Sequence, residues 1–182
     1  MYGKLNRAFT LIEILVVIAI IGILSSVLYA NFNDARKDAR NKSLQGELKE
    51  IQLALELYKS QNGVYPDVPA CGSALGPLAW AQSTVCTGDY IASIRPDFTA
   101  DLPQEGDSAN TSCDIIYLTD DGVNSWYKLL AKNCHSGDAI TQDDQFAHCP
   151  SSCSASGDCD PTSSVFQQSY AVYSAGGECQ QK

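Results

Sequence analysis

The sequence predicts an α+β chain, in which a long N-terminal helix, apolar and then amphipathic, packs on a small antiparallel sheet with disulfide-rich loops. Three observations lead there. Between Arg7 and Asp34 the sole charge is Glu13, inside an apolar run from Ala8 to Ala30. Leu44, Leu48, Ile51, Leu55 and Tyr58 then recur at spacings of four and three, which places them on one helical face. All eight cysteines follow, in a segment punctuated like hairpins and loops.

Residues 1–8 form a short leader whose charges are Lys4 and Arg7. Residues 9–30 would span about 33 Å as a helix, matching a bilayer core of about 30 Å. A secretory signal places its small residues after the apolar core. Here Ala8 comes first, so a cut between Ala8 and Phe9 removes the leader and keeps the helix. A carboxylate at mid-helix in lipid costs about 2.5–3.5 kcal/mol, less near the interface, so Glu13 reads as functional. It needs a cation, and after processing the nearest would be the new α-amine of Phe9, from its own chain or a neighbour. A register error between stacked helices would leave both charges unpaired.

The residues Arg7-Ala8-Phe9-Thr10-Leu11-Ile12-Glu13 resemble the processing motif of type IV pilins and of the pseudopilins of type II secretion. The resemblance implies a type IV pilin fold, cleavage before Phe9 by a prepilin peptidase, N-methylation of Phe9, and assembly through Phe9 and Glu13. The family usually has Gly where this chain has Ala8. Residues 31–62 continue without proline as the amphipathic half of the helix, giving about 80 Å of helix from Phe9 to Asn62. The family's frequent proline near the end of the membrane segment is absent, the position being Ala30. Asn62-Gly63 stops the helix. The exit Glu56-Leu-Tyr-Lys-Ser-Gln-Asn-Gly-Val-Tyr-Pro66 looks like that of major pseudopilins and of many type IV pilins, so the resemblance covers residues 1–66. A weaker echo, Tyr90 to Ile94 and Asp101-Leu-Pro103, resembles the segment that leads into the family's sheet.

Residues 63–182 form the head, enough for one small domain. Residues 67–88 read as a loop pinned by Cys71 and Cys86. Strands are expected at 114–119 and 125–131, joined by a hairpin turn at Asp120-Asp121-Gly122-Val123-Asn124, and at 169–174. The segment 133–168 is rich in Ser, Asp, Gly and Cys and too polar to form its own core, so cysteines must staple it. Cys113 and Cys134 could meet across the hairpin, with Cys149, Cys153, Cys159 and Cys179 holding the loop and tail. Eight cysteines allow 105 pairings, which leaves the connectivity open. Zinc at the Cys and His residues lacks paired short knuckles. No cofactor is expected; calcium at Asp158 and Asp160 is the alternative raised by loop carboxylates, although neither lies in a recognised calcium loop.

A net charge of -9 disfavours nucleic acid as a partner. Lysines and arginines flank both ends of the apolar run, so orientation rests on the cysteines, which put the head in an oxidising compartment. The expected location is a single pass in the cytoplasmic membrane and then an extracellular pilus. No nucleophile and base are paired by motif, and the chain is not expected to be an enzyme. The expected function is that of a structural subunit of a type IV pilus. Its partners are other copies, the prepilin peptidase, an inner-membrane assembly platform and, before assembly, lipid. The alternatives are a major pseudopilin of type II secretion and a membrane-anchored monomeric binding domain.

Overall fold

In the computed structural model the described residues are 10–75, 78–83, 85–86, 89–99, 101–103, 112–149 and 159–178, without the side chains of 27–31, 73–75 and 78. They form two compact units divided between Asp38 and Ala39. Helix α1, Leu11–Asn62, contributes to both. In the first unit α1 exposes apolar side chains all round, from Leu11 at 81 % to Ile23 at 67 %.

In the second unit, α1 turns one face inward. Leu48, Ile51, Ala54 and Leu55 are buried, and Leu44 packs against the same core. The Tyr58 ring meets that of Phe98 at 5.2 Å between centroids. The helix ends where the sequence predicts: Gly63 takes a positive φ of 82°, which an L side chain rarely adopts, and its N–H donates to the Lys59 carbonyl at 2.7 Å.

Among the described residues the sheet has five antiparallel strands in sequential order: β1 Ser73–Leu75, β2 Leu78–Gln82, β3 Asp114–Asp120, β4 Tyr127–Lys132 and β5 Tyr170–Tyr173. Its inner face carries Ala81, Ile115, Tyr117, Tyr127, Leu129, Ala131, Tyr170 and Val172, which join Leu48, Ile51 and Leu55 in one core. Register aligns that face, with Tyr117 opposite Leu129 and Leu129 opposite Val172. The period of two in β3 is plain, Ile115, Tyr117 and Thr119 being buried while their neighbours are half-buried. Strand β4 is buried on both faces, because the segment after it and the C-terminal tail cover its outer side.

The segment read as a loop at 67–88 is corrected by strands β1 and β2. The Pro and Gly residues there read as continuous turns, and Ala79 and Ala81 have little strand propensity of their own. Both are fully buried, and their small size suits the close approach of β2 to the rest of the core. Strand β4 starts at Tyr127 rather than Ser125, because Ser125 is engaged by Asp120 in the turn. A short helix, α2 at Ser164–Gln167, was not expected from the sequence; the Ser163 side chain caps it by accepting from the Phe166 N–H.

After the last strand, the chain folds back over β4. The Ser174 N–H donates to the Tyr127 carbonyl, and the Ser174 Oγ accepts from the Tyr127 N–H at 2.9 Å. Gly177 closes this return so tightly that a Cβ would lie 2.2 Å from the Tyr127 oxygen.

Candidate functional site

Glu13 lies in the first turn of α1, and its carboxylate folds back on the residue before the helix. Its Oε2 accepts from both the Thr10 backbone N–H and the Thr10 hydroxyl, each at 2.8 Å, while the Glu13 N–H donates to the Thr10 Oγ1 at 3.4 Å. This reciprocal pair is a capping box, in which Thr at the cap and Glu three residues on satisfy two backbone donors that the helix start leaves orphaned. The Thr-x-x-Glu spacing is legible in the sequence, but treating Glu13 only as a charge in lipid passes over it. Ala8 and Phe9, the expected processing residues, lie outside the described residues. So do the side chains of residues 27–30 in the expected span at 9–30, and among the described residues no helix is long and apolar enough to cross a membrane.

Among the described residues of the head three disulfides close, Cys71–Cys86, Cys113–Cys134 and Cys149–Cys159, over sequence separations of 15, 21 and 10 residues. The first two tie the β1–β2 region and the base of the β3–β4 hairpin to the core, where Cys86, Cys113 and Cys134 are buried. Cys153 and Cys179 lie outside the described residues, as does Asp158. Asp160 turns inward on its own loop, accepting from the Thr162 N–H at 2.8 Å and hydroxyl at 2.6 Å, and these bonds hold its carboxyl below the usual carboxylate range. Among the described residues no group of three or more His, Cys, Asp or Glu side chains is placed to hold a metal ion.

Among the described residues polar side chains fasten the segment after β4, and the sequence reading missed Asn41 and Lys128. Asn41, buried on α1 one turn before Leu44, donates to the Ser136 carbonyl at 2.7 Å and accepts from the Ser136 N–H at 3.1 Å. Lys128, 2 % exposed on β4, donates to the carbonyls of Cys149 at 2.6 Å and Glu178 at 3.2 Å. Burial pushes its ammonium down to about 8, against the opposing pull of Glu178. His135 bridges the Tyr170 hydroxyl and the Asp138 carbonyl, and His148 stacks edge-on against Tyr173. Burial lowers the His148 imidazole from its ordinary value. A polar residue in an apolar stripe, as at Asn41, and a lysine in the middle of an apolar strand, as at Lys128, were the available signals.

Residues 3–29 match the family described as the prokaryotic N-terminal methylation motif. The chain is 31 % identical over 122 residues to the type II secretion system core protein G of Klebsiella pneumoniae, an alignment covering 65 % of this chain and 87 % of that protein. It is 36 % identical over 64 residues to the core protein G of Pectobacterium carotovorum, covering 35 % of this chain and 41 % of that protein. It is also 40 % identical over 70 residues to the type IV wide pilus major component PilA4 of Thermus thermophilus, covering 38 % of this chain and 53 % of that protein. No solved structure matches.

Proposed function

Since this chain belongs to the family of type IV pilins and type II secretion pseudopilins, a family of filament subunits, we propose that it is stored in the cytoplasmic membrane through its apolar helix and then assembles into a type IV pilus on the cell surface. The observation that carries this reading is the exposed apolar half of α1, from Leu11 to Leu24, which begins at the Thr10–Glu13 box. So large an apolar surface calls for lipid or for other helices of the same kind. Processing would leave a new α-amine at Phe9, and Glu13 stands one turn away as its charge partner, in the same subunit or the next. The head, outside the membrane, is held by disulfides that need no ligand. The role is structural rather than enzymatic, without a cofactor. The peptidase and an inner-membrane platform are its transient partners, and nucleic acid is not.

A second reading, a secretion pseudopilus, is favoured by the alignment with the Klebsiella protein, which extends through much of the head. Intact-mass measurement and N-terminal sequencing of sheared surface filaments, without reductant, test the proposal. A surface filament of chains that begin with methylated Phe9 is the expected result. Processed chains confined to the periplasm would support the secretion reading, and an unprocessed chain found only in membranes would overturn both. In the same assay Glu13→Gln keeps an oxygen acceptor for Thr10 but removes the charge. We expect at least a tenfold loss of filaments from this variant with membrane-held monomer unchanged. Wild-type filament levels would show that capping alone is the residue's role.

A further inference from the structure

Lys42, Gly46 and Lys49 of α1 face the segment around Asp144, Gln145 and Phe146 across an open groove of about 360 Å³. Gly46 leaves its floor clear, with nothing within 4 Å of where a Cβ would stand. The two lysines are exposed, and among the described residues neither forms an ion pair. The Lys42 ammonium donates to the neutral Gln45 Oε1 at 3.1 Å, and that of Lys49 to the Gln145 Oε1 at 3.5 Å while lying 5.2 Å from the Phe146 ring centroid. Asp144 lines the same groove, its Oδ1 accepting from the Phe146 N–H at 2.9 Å, and among the described residues it forms an ion pair with neither lysine. With two ammonium groups against one carboxylate, the groove is a basic site on a chain of net charge -9. An apolar surface lies farther along the same helix face at Leu53 and Leu57, exposed by 62 % and 46 %.

The complementary shape is on the same molecule, at the turn between β3 and β4. Asp120 is consumed within that turn: burial raises its carboxyl, but hydrogen bonds from the Ser125 N–H and hydroxyl and from the Trp126 N–H outweigh this and lower it. Asp121 projects into solvent beside Val123, which is 62 % exposed. The Tyr65 N–H donates to the Asn124 carbonyl at 2.9 Å, which fixes this tip at the C-terminal end of α1. Gly46 lies about 24 Å back along the helix axis from Asn62. Groove and tip therefore occupy opposite ends of the head and cannot meet within one chain.

We propose that the Lys42–Lys49 groove receives the Asp121–Val123 turn of a second copy of this chain. Asp121 faces the two ammonium groups, and Val123 packs against the exposed Leu53 farther along the same helix face. The contact is heterologous and does not close on itself, so each subunit that fills a groove presents a new tip to the next. The inference rests on the filament reading above and deepens it by naming a head-to-head contact.

The test uses the full chain in cells that assemble it, with sheared and membrane fractions quantified. Lys49→Glu and Asp121→Lys should each lower filament yield at least tenfold while membrane-held monomer, its oxidised mass and its protease resistance stay unchanged. The double variant Lys49→Glu with Asp121→Lys should recover filaments. Normal yield from both single variants, with wild-type filaments present, would overturn the groove contact and leave the filament reading standing. Loss in the single variants without recovery in the double would overturn the Asp121 turn as the occupant. Absence of wild-type filaments would overturn the filament reading, and this contact with it.

Discussion

The ammonium of Lys128 joins two segments that lie far from it in sequence, the carbonyl of Cys149 and that of Glu178. Its burial makes the charged form expensive, which is why its pKa falls from 10.5 to about 8. A base depressed on folding is charged in both states below about pH 8. Between pH 8 and 10.5 the unfolded chain still holds a proton that the folded chain has released, so stability rises with pH in that window. Burial acts the other way on Tyr90, Tyr117 and Tyr127, whose hydroxyls keep their protons to higher pH when folded, so stability falls once the unfolded tyrosines ionise near pH 10. Urea unfolding should therefore show a gain on the order of 2 kcal/mol from pH 8 to 10. Lys128→Met should remove that gain, and a variant that keeps it would reassign the effect to another group. Glu13 shows the same dependence on local partners. Its carboxylate is already bonded to Thr10, so any cation it meets during assembly meets a group with two hydrogen bonds in place.

The amphipathic half of α1 owes its position to a face, and adjacent residues differ accordingly. Leu55 is fully buried among Leu48, Ile51 and the inner face of the sheet, whereas Leu53 is 62 % exposed. Leu55→Ala should cost about 2–5 kcal/mol, because it removes buried methyl groups and leaves a cavity. Leu53→Ala should change stability by no more than about 0.5 kcal/mol. Equal effects in urea titrations of the two variants would mean that the helix sits in a different rotation. The period of this helix and its stop at Gly63 were legible because spacing and a glycine with positive φ are local properties. Strands β1 and β2 were not, since Ala79 and Ala81 acquire their place from the space available against the core and not from their own propensity. Helix α2 escaped for a related reason: Ser163 and Phe166 give it a cap and an anchor, but a single turn carries too little periodicity to be read.

For the whole molecule, the question is how a head with a polar, cysteine-rich segment stays folded. Among the described residues three loops are closed by disulfides at separations of 15, 21 and 10 residues, each of a size for which cross-linking is worth about 3 kcal/mol through the unfolded chain. Asn41 and Lys128 add hydrogen bonds that hold the same segment to α1 and β4. On reduction, limited proteolysis should cut first within 133–168, before α1 or the β3–β4 hairpin is lost. Unchanged cleavage after reduction would count against the staples as the main support of that segment. The sequence by itself determined the long helix, its apolar and amphipathic halves, the β3–β4 hairpin, the third strand near Tyr170, and the motif that marks the filament family. These are written in spacing, charge and short-range pattern, which survive without knowledge of distant partners. Tertiary structure alone decided that Cys149 meets Cys159, how two alanine-containing strands complete the sheet, and why a lysine stands in the middle of it. It also decided that a basic groove and an acidic turn lie at opposite ends of the head. All of these depend on contacts between residues far apart in the chain, where many pairings satisfy the same local pattern and only the packed core selects one.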